Sequence, residues 1–446
     1  HLNLSDVLET EWTMVVNQSH NTLSTIIVSC LNAENISGTS LTSTGTTLHS
    51  SEWTIALDSV NSFATRKPIG SHLITTHILG HPWSKSDDAL KVSSEYTLLA
   101  NQNFSRIRAL KPGDSKIVGI SLSQGYDGTY LDTKSLMELV GTLKESSNIV
   151  PVLLVDPQTA NHRTIVNELN LAMGNDLISI NVDFTAFSAI ATHLDLMVTP
   201  ATDYAVAADL QGIETLELRN SAVFKQEPVI TTEGSRVLFY EGQADIASDI
   251  IYAINEIFNT ELPLNTTDGG SSVFACVKDE YGYFFSQIKG EINLGQELNY
   301  HLSRSFFFNL LGYPENSALM ENIRENCVKE DIVEFVNETR SELTGAVKIL
   351  LATLRSLKSI RNTSDGVNSF LSYYDQLLAY GKQQNIVGHM IRFTEGKIEN
   401  ISSQNSQENL AQIEQLLFEL KGHIQKITEA CGVLIGDLPL ERESEA

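Results

Sequence analysis

The run Val150-Pro-Val-Leu-Leu-Val155 constrains this chain most, because no position in it is polar. A strand with one wet face alternates apolar and polar residues. A strand apolar on both faces belongs to a sheet covered on both sides, the usual condition of parallel sheets. The neighbouring sequence extends the pattern. Lys116–Leu122 reads as a strand and Thr133–Ser146 as an amphipathic helix. Then come a helix over Thr159–Leu171, a strand over Leu177–Ile180 and a short helix over Phe184–His193. A strand over Asp195–Thr199, a helix over Tyr204–Gln211 and a strand over Glu214–Leu218 follow. Ala244–Phe258 closes the series as a helix with Ile246, Ile250, Ile254 and Ile257 on one stripe. Strands alternating with helices predict an α/β fold with helices on both faces of the sheet.

The two ends read differently. Trp12–Asn17 is a short strand, Gln18–Asn21 a turn, Leu23–Leu31 a helix, and Ile36–Gly38 opens the next strand, which is a βαβ order. Residues 40–100 are less regular, with Trp53 and Trp83 as packing anchors. Residues 259–272 have linker composition. Beyond them the period changes. Leu343, Val347, Leu350, Leu354 and Leu357 recur in steps of four and three, as do Leu410, Ile413, Leu417, Leu420, Ile424, Ile427 and Cys431. Such stripes suit antiparallel helix pairing, so a helical bundle is expected over 280–435, its stripes forming an intramolecular core. Its middle helix, around Phe370–Ile401, is weakened by Gly366, Gly381, Gly388 and Gly396. The aromatic runs Tyr281–Phe285 and Phe306–Phe308 are expected to dock the bundle on the α/β body, and Glu441–Ala446 forms an acidic tail. At about 150 residues per domain there is room for three parts: 1–112, 113–262 and 263–446.

Charge narrows the function classes. The chain holds 30 Lys+Arg against 55 Asp+Glu, a net charge of −25. Residues 1–65 contain no Lys or Arg, and neither does Thr164–Leu218. Nucleic-acid binding needs a basic face and anionic membranes attract polybasic segments, so neither partner is expected. No apolar run reaches the roughly 20 residues of a membrane span. His1 opens no secretory leader pattern, and a cytoplasmic location is expected. Cys30, Cys276, Cys327 and Cys431 are far apart, without metal-ligand spacing, and read as reduced core thiols. His20, in a turn, and His193, at a helix end, read as capping or surface residues.

The run Leu194-Asp-Leu-Met-Val-Thr-Pro-Ala-Thr-Asp-Tyr-Ala-Val-Ala-Ala-Asp-Leu-Gln-Gly-Ile-Glu-Thr-Leu-Glu-Leu218 resembles a signature of glycosyltransferase family 9, the heptosyltransferases. The strand and polar turn at 119–130, the strand at 150–155 and the Trp12–Gly38 region fit the same pattern, so the resemblance covers about residues 10–258. It implies two Rossmann-like domains of the GT-B type. The first would be residues 1–112, apparently lacking its front unit; the second, residues 113–262, would be the nucleotide-sugar half. The helical region 263–446 would be an extension.

At the family's functional positions the residues differ. Its Asp-Thr-Gly-Pro-x-His turn sets an acidic residue and a helix N-terminus beside the donor diphosphate. The matching run here is Ala201-Thr202-Asp203-Tyr204-Ala205-Val206. Where the family carries a cation followed by Trp-Pro, this chain has Tyr126-Asp127-Gly128. The family's Gly-Gly-Pro-x-Glu turn matches Val155-Asp156-Pro157-Gln158-Thr159, which keeps only the proline. Nothing before Trp12 matches the family's catalytic Gly-Asp turn, so no catalytic residue is assigned.

Asp127, Asp156 and Asp203 fall at C-terminal ends of predicted parallel strands, where open α/β sheets bind ligands. Three carboxylates could hold a divalent cation there. As turn and cap residues they would instead accept backbone N–H groups; that reading is preferred, and no metal is expected. The resemblance with these losses implies a catalytically degenerate protein, without cofactor, acting as a binding or scaffold subunit of a bacterial assembly. A protein partner would meet its C-terminal helices. The alternative is an active heptosyltransferase-type enzyme, moving a sugar from a nucleotide-diphosphate donor to a glycan or protein acceptor.

Overall fold

The computed structural model describes residues 4–19, 21–61, 74–75, 78, 92–109, 114–174, 176–220, 228–240, 246–263, 270–279, 282–290, 294–310, 328–360, 364–383, 385–401 and 405–436. His20, Trp83, Cys327 and the tail Glu441–Ala446 lie outside the described residues. The chain divides into two compact units, His1–Trp83 with Asn293–Ala446, and Ser84–Ile292.

The 84–292 unit is built on an eight-stranded sheet. Its strands are β6 (Lys116–Ser121), β7 (Ile149–Val155), β8 (Ser179–Asn181), β9 (Leu196–Pro200), β10 (Thr215–Asn220), β11 (Arg236–Tyr240), β12 (Ser272–Asp279) and β13 (Gly282–Lys289). The order is β13-β12-β11-β10-β9-β6-β7-β8, with β6 to β11 parallel and the last two antiparallel. All seven residues of β7 are buried. Ile149, Leu153 and Val155 face α5 (Thr133–Glu145), α6 (Ala160–Met173) and α9 (Ile246–Phe258). Val150, Val152 and Leu154 face α4 (Ser94–Arg108), α7 (Phe184–Ala191) and α8 (Asp203–Leu210) on the other side. Two-sided cover is why the strand has no polar position. Burying each such side chain contributes roughly 1.5–3 kcal/mol.

β7 and β8 run to one side of β6 while β9, β10 and β11 run to the other. The order therefore reverses between β6 and β9, and open α/β sheets bind ligands at the C-terminal ends of strands at such a switch point.

The structure corrects the reading of residues 272–289. They are not bundle or docking segment but an antiparallel hairpin whose first strand pairs with β11, Phe239 opposite Ser272 and Val237 opposite Phe274. A parallel edge strand leaves its backbone groups unpaired, and the hairpin supplies the next ladder. The expected boundary at residue 262 thus falls ahead of two strands that belong to the sheet. Strand β11 also lay outside the sequence reading.

In the other unit, β2 (Val15–Asn17), α2 (Thr22–Ser29) and β4 (Ile36–Leu41) form the expected βαβ crossover, β2 parallel to β4. β5 (Thr47–His49) adds antiparallel to β4. α3 (Glu52–Asn61) follows, and the C-terminal helices begin at Leu294 rather than near 280: α10 (Leu294–Leu310), α11 (Lys329–Ile360), α12 (Ser364–Tyr380), α13 (Ile386–Glu399) and α14 (Ser406–Ile435). The stripes Leu343, Leu350, Leu354, Leu357 and Leu417, Leu420, Ile424, Ile427, Cys431 are buried within the unit.

These helices pack on the first segment. Asn400 makes a two-way amide bond with the His49 backbone, accepting from its N–H at 2.7 Å and donating to its carbonyl at 2.8 Å. Lys397 bridges Glu52 and Glu419 at 2.9 and 3.0 Å. At Gly396 a Cβ would lie 2.7 Å from Ile55 Cγ2, so glycine permits the close approach of α13 and α3. Phe306 meets Phe393 and His423, and Phe307 meets His389. That run is part of the helical core. Cys276 and Cys431 are buried as expected, whereas Cys30, one residue past α2, is exposed.

Candidate functional site

The turn after β6 lies on the end of β9. Gly125 sits so close that a Cβ there would be 3.0 Å from Pro200 Cβ and 3.4 Å from the Ala201 nitrogen. Tyr126 donates its N–H to the Ala201 carbonyl at 2.9 Å and its hydroxyl to Asp203. Gly128 donates to the Gly125 carbonyl at 3.0 Å, closing the turn. Asp127 accepts from Thr129 N–H at 2.9 Å through one oxygen and from Asn220 N–H, on the end of β10, at 3.1 Å through the other. One turn thereby ties together the tips of β6, β9 and β10. Partial desolvation, then the hydrogen bond and charge of Asp203, push the Tyr126 phenol up to about 12.

The turn after β7 is equally self-contained. Asp156 accepts from Gln158 N–H at 2.8 Å and from the Thr159 hydroxyl at 3.2 Å. Its own N–H donates to His162 Nδ1 at 3.1 Å, and the imidazole also bonds the Leu122 carbonyl. An imidazole that accepts at one nitrogen is neutral. Burial lowers the His162 pKa, against the upward pull of Asp156 and of that carbonyl. Pro157 follows, its carbonyl accepting from Arg163 at 3.4 Å.

At the end of β9, Ala201 and Thr202 are buried, Asp203 is exposed and Val206 is half-buried. Thr202 caps α8 through its backbone carbonyl, which accepts from Ala205 and Val206 at 3.0 and 3.3 Å. Asp203 is the first residue of that helix, where a carboxylate suits the helix dipole. Tyr204 packs edge-on against Phe187 and Phe184, with ring centroids 4.9 and 5.9 Å apart. Burial, then the charges of Asp156, Asp183 and Asp203, raise its phenol above the ordinary tyrosine value. Three carboxylates therefore act on that phenol through their charge. The third, Asp183, caps α7 by accepting from Ala186 N–H at 2.7 Å.

Of the positions singled out in the sequence, the structure brings Tyr126, Asp127, Gly128, Ala201 and Asp203 into one bonded cluster and leaves Asp156 and Pro157 in a separate turn. Thr202 and Val206 serve helix α8. The sequence reading passed over Asp183, Phe184, His162 and Asn220; only Asp183, ahead of an apolar helix, carried a cap signal. Between the tips of β6, β7 and β8 a narrow cleft is lined by Ser121, Ser123, Leu154, Asp156, Val182 and Tyr204, and its space is too small for a water molecule. Among the described residues no group of three or more His, Cys, Asp or Glu could hold a metal ion. No described helix is long and apolar enough to cross a membrane.

The molecule is a mixed α/β protein with a large, mostly parallel sheet, and it resembles structures of glycosyltransferase family 9. One is the crystal structure of a family 9 glycosyltransferase from Veillonella parvula, 12% identical with a TM-score of 0.38, over 60% of this chain and 72% of that one. Another is the ADP-heptose lipopolysaccharide heptosyltransferase II of E. coli, 14% identical with a TM-score of 0.32, over 41% of this chain and 56% of that one. No protein-family model and no curated protein matches the chain. Likeness at this level assigns no residue a role, so function is argued from the site.

Proposed function

We propose that this glycosyltransferase-like chain does not transfer sugar from a nucleotide donor at the sheet's C-terminal edge, and that it works as a binding or scaffold subunit. The observation that carries the reading is how the edge satisfies itself. Asp127 and Asp156 are occupied by backbone N–H and hydroxyl groups of their own turns and of Asn220, and Asp203 by the Tyr126 hydroxyl. A diphosphate at the N-terminus of α8 would meet the Asp203 carboxylate. Two unit charges 4 Å apart repel by about 4 kcal/mol near a protein surface. Among the described residues no Lys or Arg forms an ion pair with Asp127, Asp156, Asp183 or Asp203 to offset this.

Thermal shift and calorimetry with ADP, UDP and their sugars test the reading. The expected result is no shift and no binding heat at millimolar ligand. A binding isotherm abolished by Asp203→Asn or Asp156→Asn, or sugar transfer to a glycan or protein acceptor, would overturn it and establish the heptosyltransferase-type alternative.

A further inference from the structure

Two water-facing aromatic rings lie past the C-terminal ends of β6 and β8. Tyr126 is 61% exposed and Phe184 55% exposed, although both belong to well-packed elements. They are joined into one surface. Tyr126 bonds Asp203; Asp203 precedes Tyr204; the Tyr204 ring packs against Phe184; and Phe184 follows the cap residue Asp183. Carboxylates at Asp203, Asp183 and Asp156 are interleaved with these rings. None of the three forms an ion pair among the described residues, and Thr164–Leu218 contributes no cation.

We propose that this ring-and-carboxylate surface docks an arginine- or lysine-bearing segment of a partner protein. The proposal rests on the binding-subunit reading and names the chemistry of the partner. Aromatic faces attract cations through their quadrupole, and guanidinium groups stack on them while donating to nearby carboxylates. Tyrosine and other large aromatics are the side chains that most often anchor interfaces. The carboxylates fit a visiting cation without first being released. Asp183 accepts one backbone N–H, and Asp156 one backbone N–H and one hydroxyl, fewer than the roughly four acceptor sites of an ionised carboxylate. A phosphorylated or nucleotide partner would meet the same charges as repulsion, and an apolar partner would leave them buried without a counter-ion.

The test is fluorescence polarisation of the full chain with a labelled peptide of four Arg-Gly repeats. A chain of net charge −25 attracts any cation, so the variants must separate this surface from general charge. The combination Tyr126→Ala with Phe184→Ala is expected to weaken binding at least tenfold, and Asp183→Asn with Asp203→Asn comparably; asparagine preserves the cap and still accepts from Tyr126. Glu330→Gln with Glu334→Gln, exposed on α11, removes the same charge elsewhere and is expected to change binding less than twofold. Circular dichroism and melting temperature confirm that each variant is folded. Equal losses in all three sets, or no binding by the unaltered chain at millimolar peptide, would overturn the proposal while leaving the non-transferase reading intact. Nucleotide-sugar binding at the same surface, competing with the peptide, would overturn both.

Discussion

At the N-terminal ends of the strands, Lys116 and Arg236 stand among Asp195 and Glu214. At the C-terminal ends, Asp127, Asp156, Asp183 and Asp203 have no ion-pair partner among the described residues. Lys116 pairs with Asp195 at 3.2 Å, and Asp195 also accepts from Ile117 N–H at 2.8 Å. Glu214 is raised by burial but held down by Arg236 and Lys116. One edge neutralises its charges locally. The other engages its carboxylates with backbone N–H and hydroxyl groups, without an ion pair among the described residues. Among the described residues the sheet's end carboxylates thus form an ion pair at one end and none at the other, a difference invisible in a net charge of −25.

The comparison can be broken most forcefully just below the C-terminal strand ends. Glu217 and Arg219 on β10 form a fully buried ion pair, and Glu217 also accepts from Val229 N–H at 3.0 Å. Glu217→Ala breaks this buried pair by removing its carboxylate and is expected to cost about 3–5 kcal/mol in urea denaturation. A loss below about 1 kcal/mol would mean that this end of the sheet tolerates uncompensated charge of either sign.

A smaller effect separates the edges directly. Asp127→Ala strands the N–H groups of Thr129 and Asn220 and should cost about 1–3 kcal/mol. Lys116→Met at the opposite edge removes a half-exposed ion pair and should cost no more than about 1 kcal/mol. If the order were reversed, the ion pairs and not the turns would be what the sheet ends depend on.

The least effect concerns acid. His162 is buried and neutral, with its folded pKa lowered below the unfolded value near 6.5. Its contribution is therefore complete above that value and is lost as pH falls, because the unfolded chain takes up the proton first. Melting temperatures of the unaltered chain should fall between pH 7 and 5, and His162→Gln should flatten that decline. An unchanged slope would remove His162 from the account of how the β6 and β7 tips are held.

Legibility followed locality. The elements from β6 through α8 could be read in order because β6, β7 and β9 are buried almost throughout and the helices between them follow in strict alternation. The hairpin 272–289 was missed: Tyr283, Phe284 and Phe285 are an unbroken aromatic run, and what makes them a strand is pairing with β12, seven residues aligned from Val277–Phe284 outward on both sides. Nor does any local pattern announce that Gly396 meets Ile55, or that Asn400 bonds the backbone of His49. At the site, Asp127, Asp156 and Asp203 were visible as acidic residues at strand ends. Their partners were not, since Asn220 lies far along the chain from Asp127 and Tyr126 far from Asp203.

What the sequence determined by itself was the two-faced parallel sheet, the helices that cover it and the absence of cations from Thr164–Leu218, all of which depend on residue type and spacing. Tertiary structure alone decided which carboxylates are satisfied, which rings face water and which strand ends carry an ion pair. Hydrogen bonds and ion pairs act over about 3 Å, and only folding brings residues separated by tens or hundreds of positions within that reach.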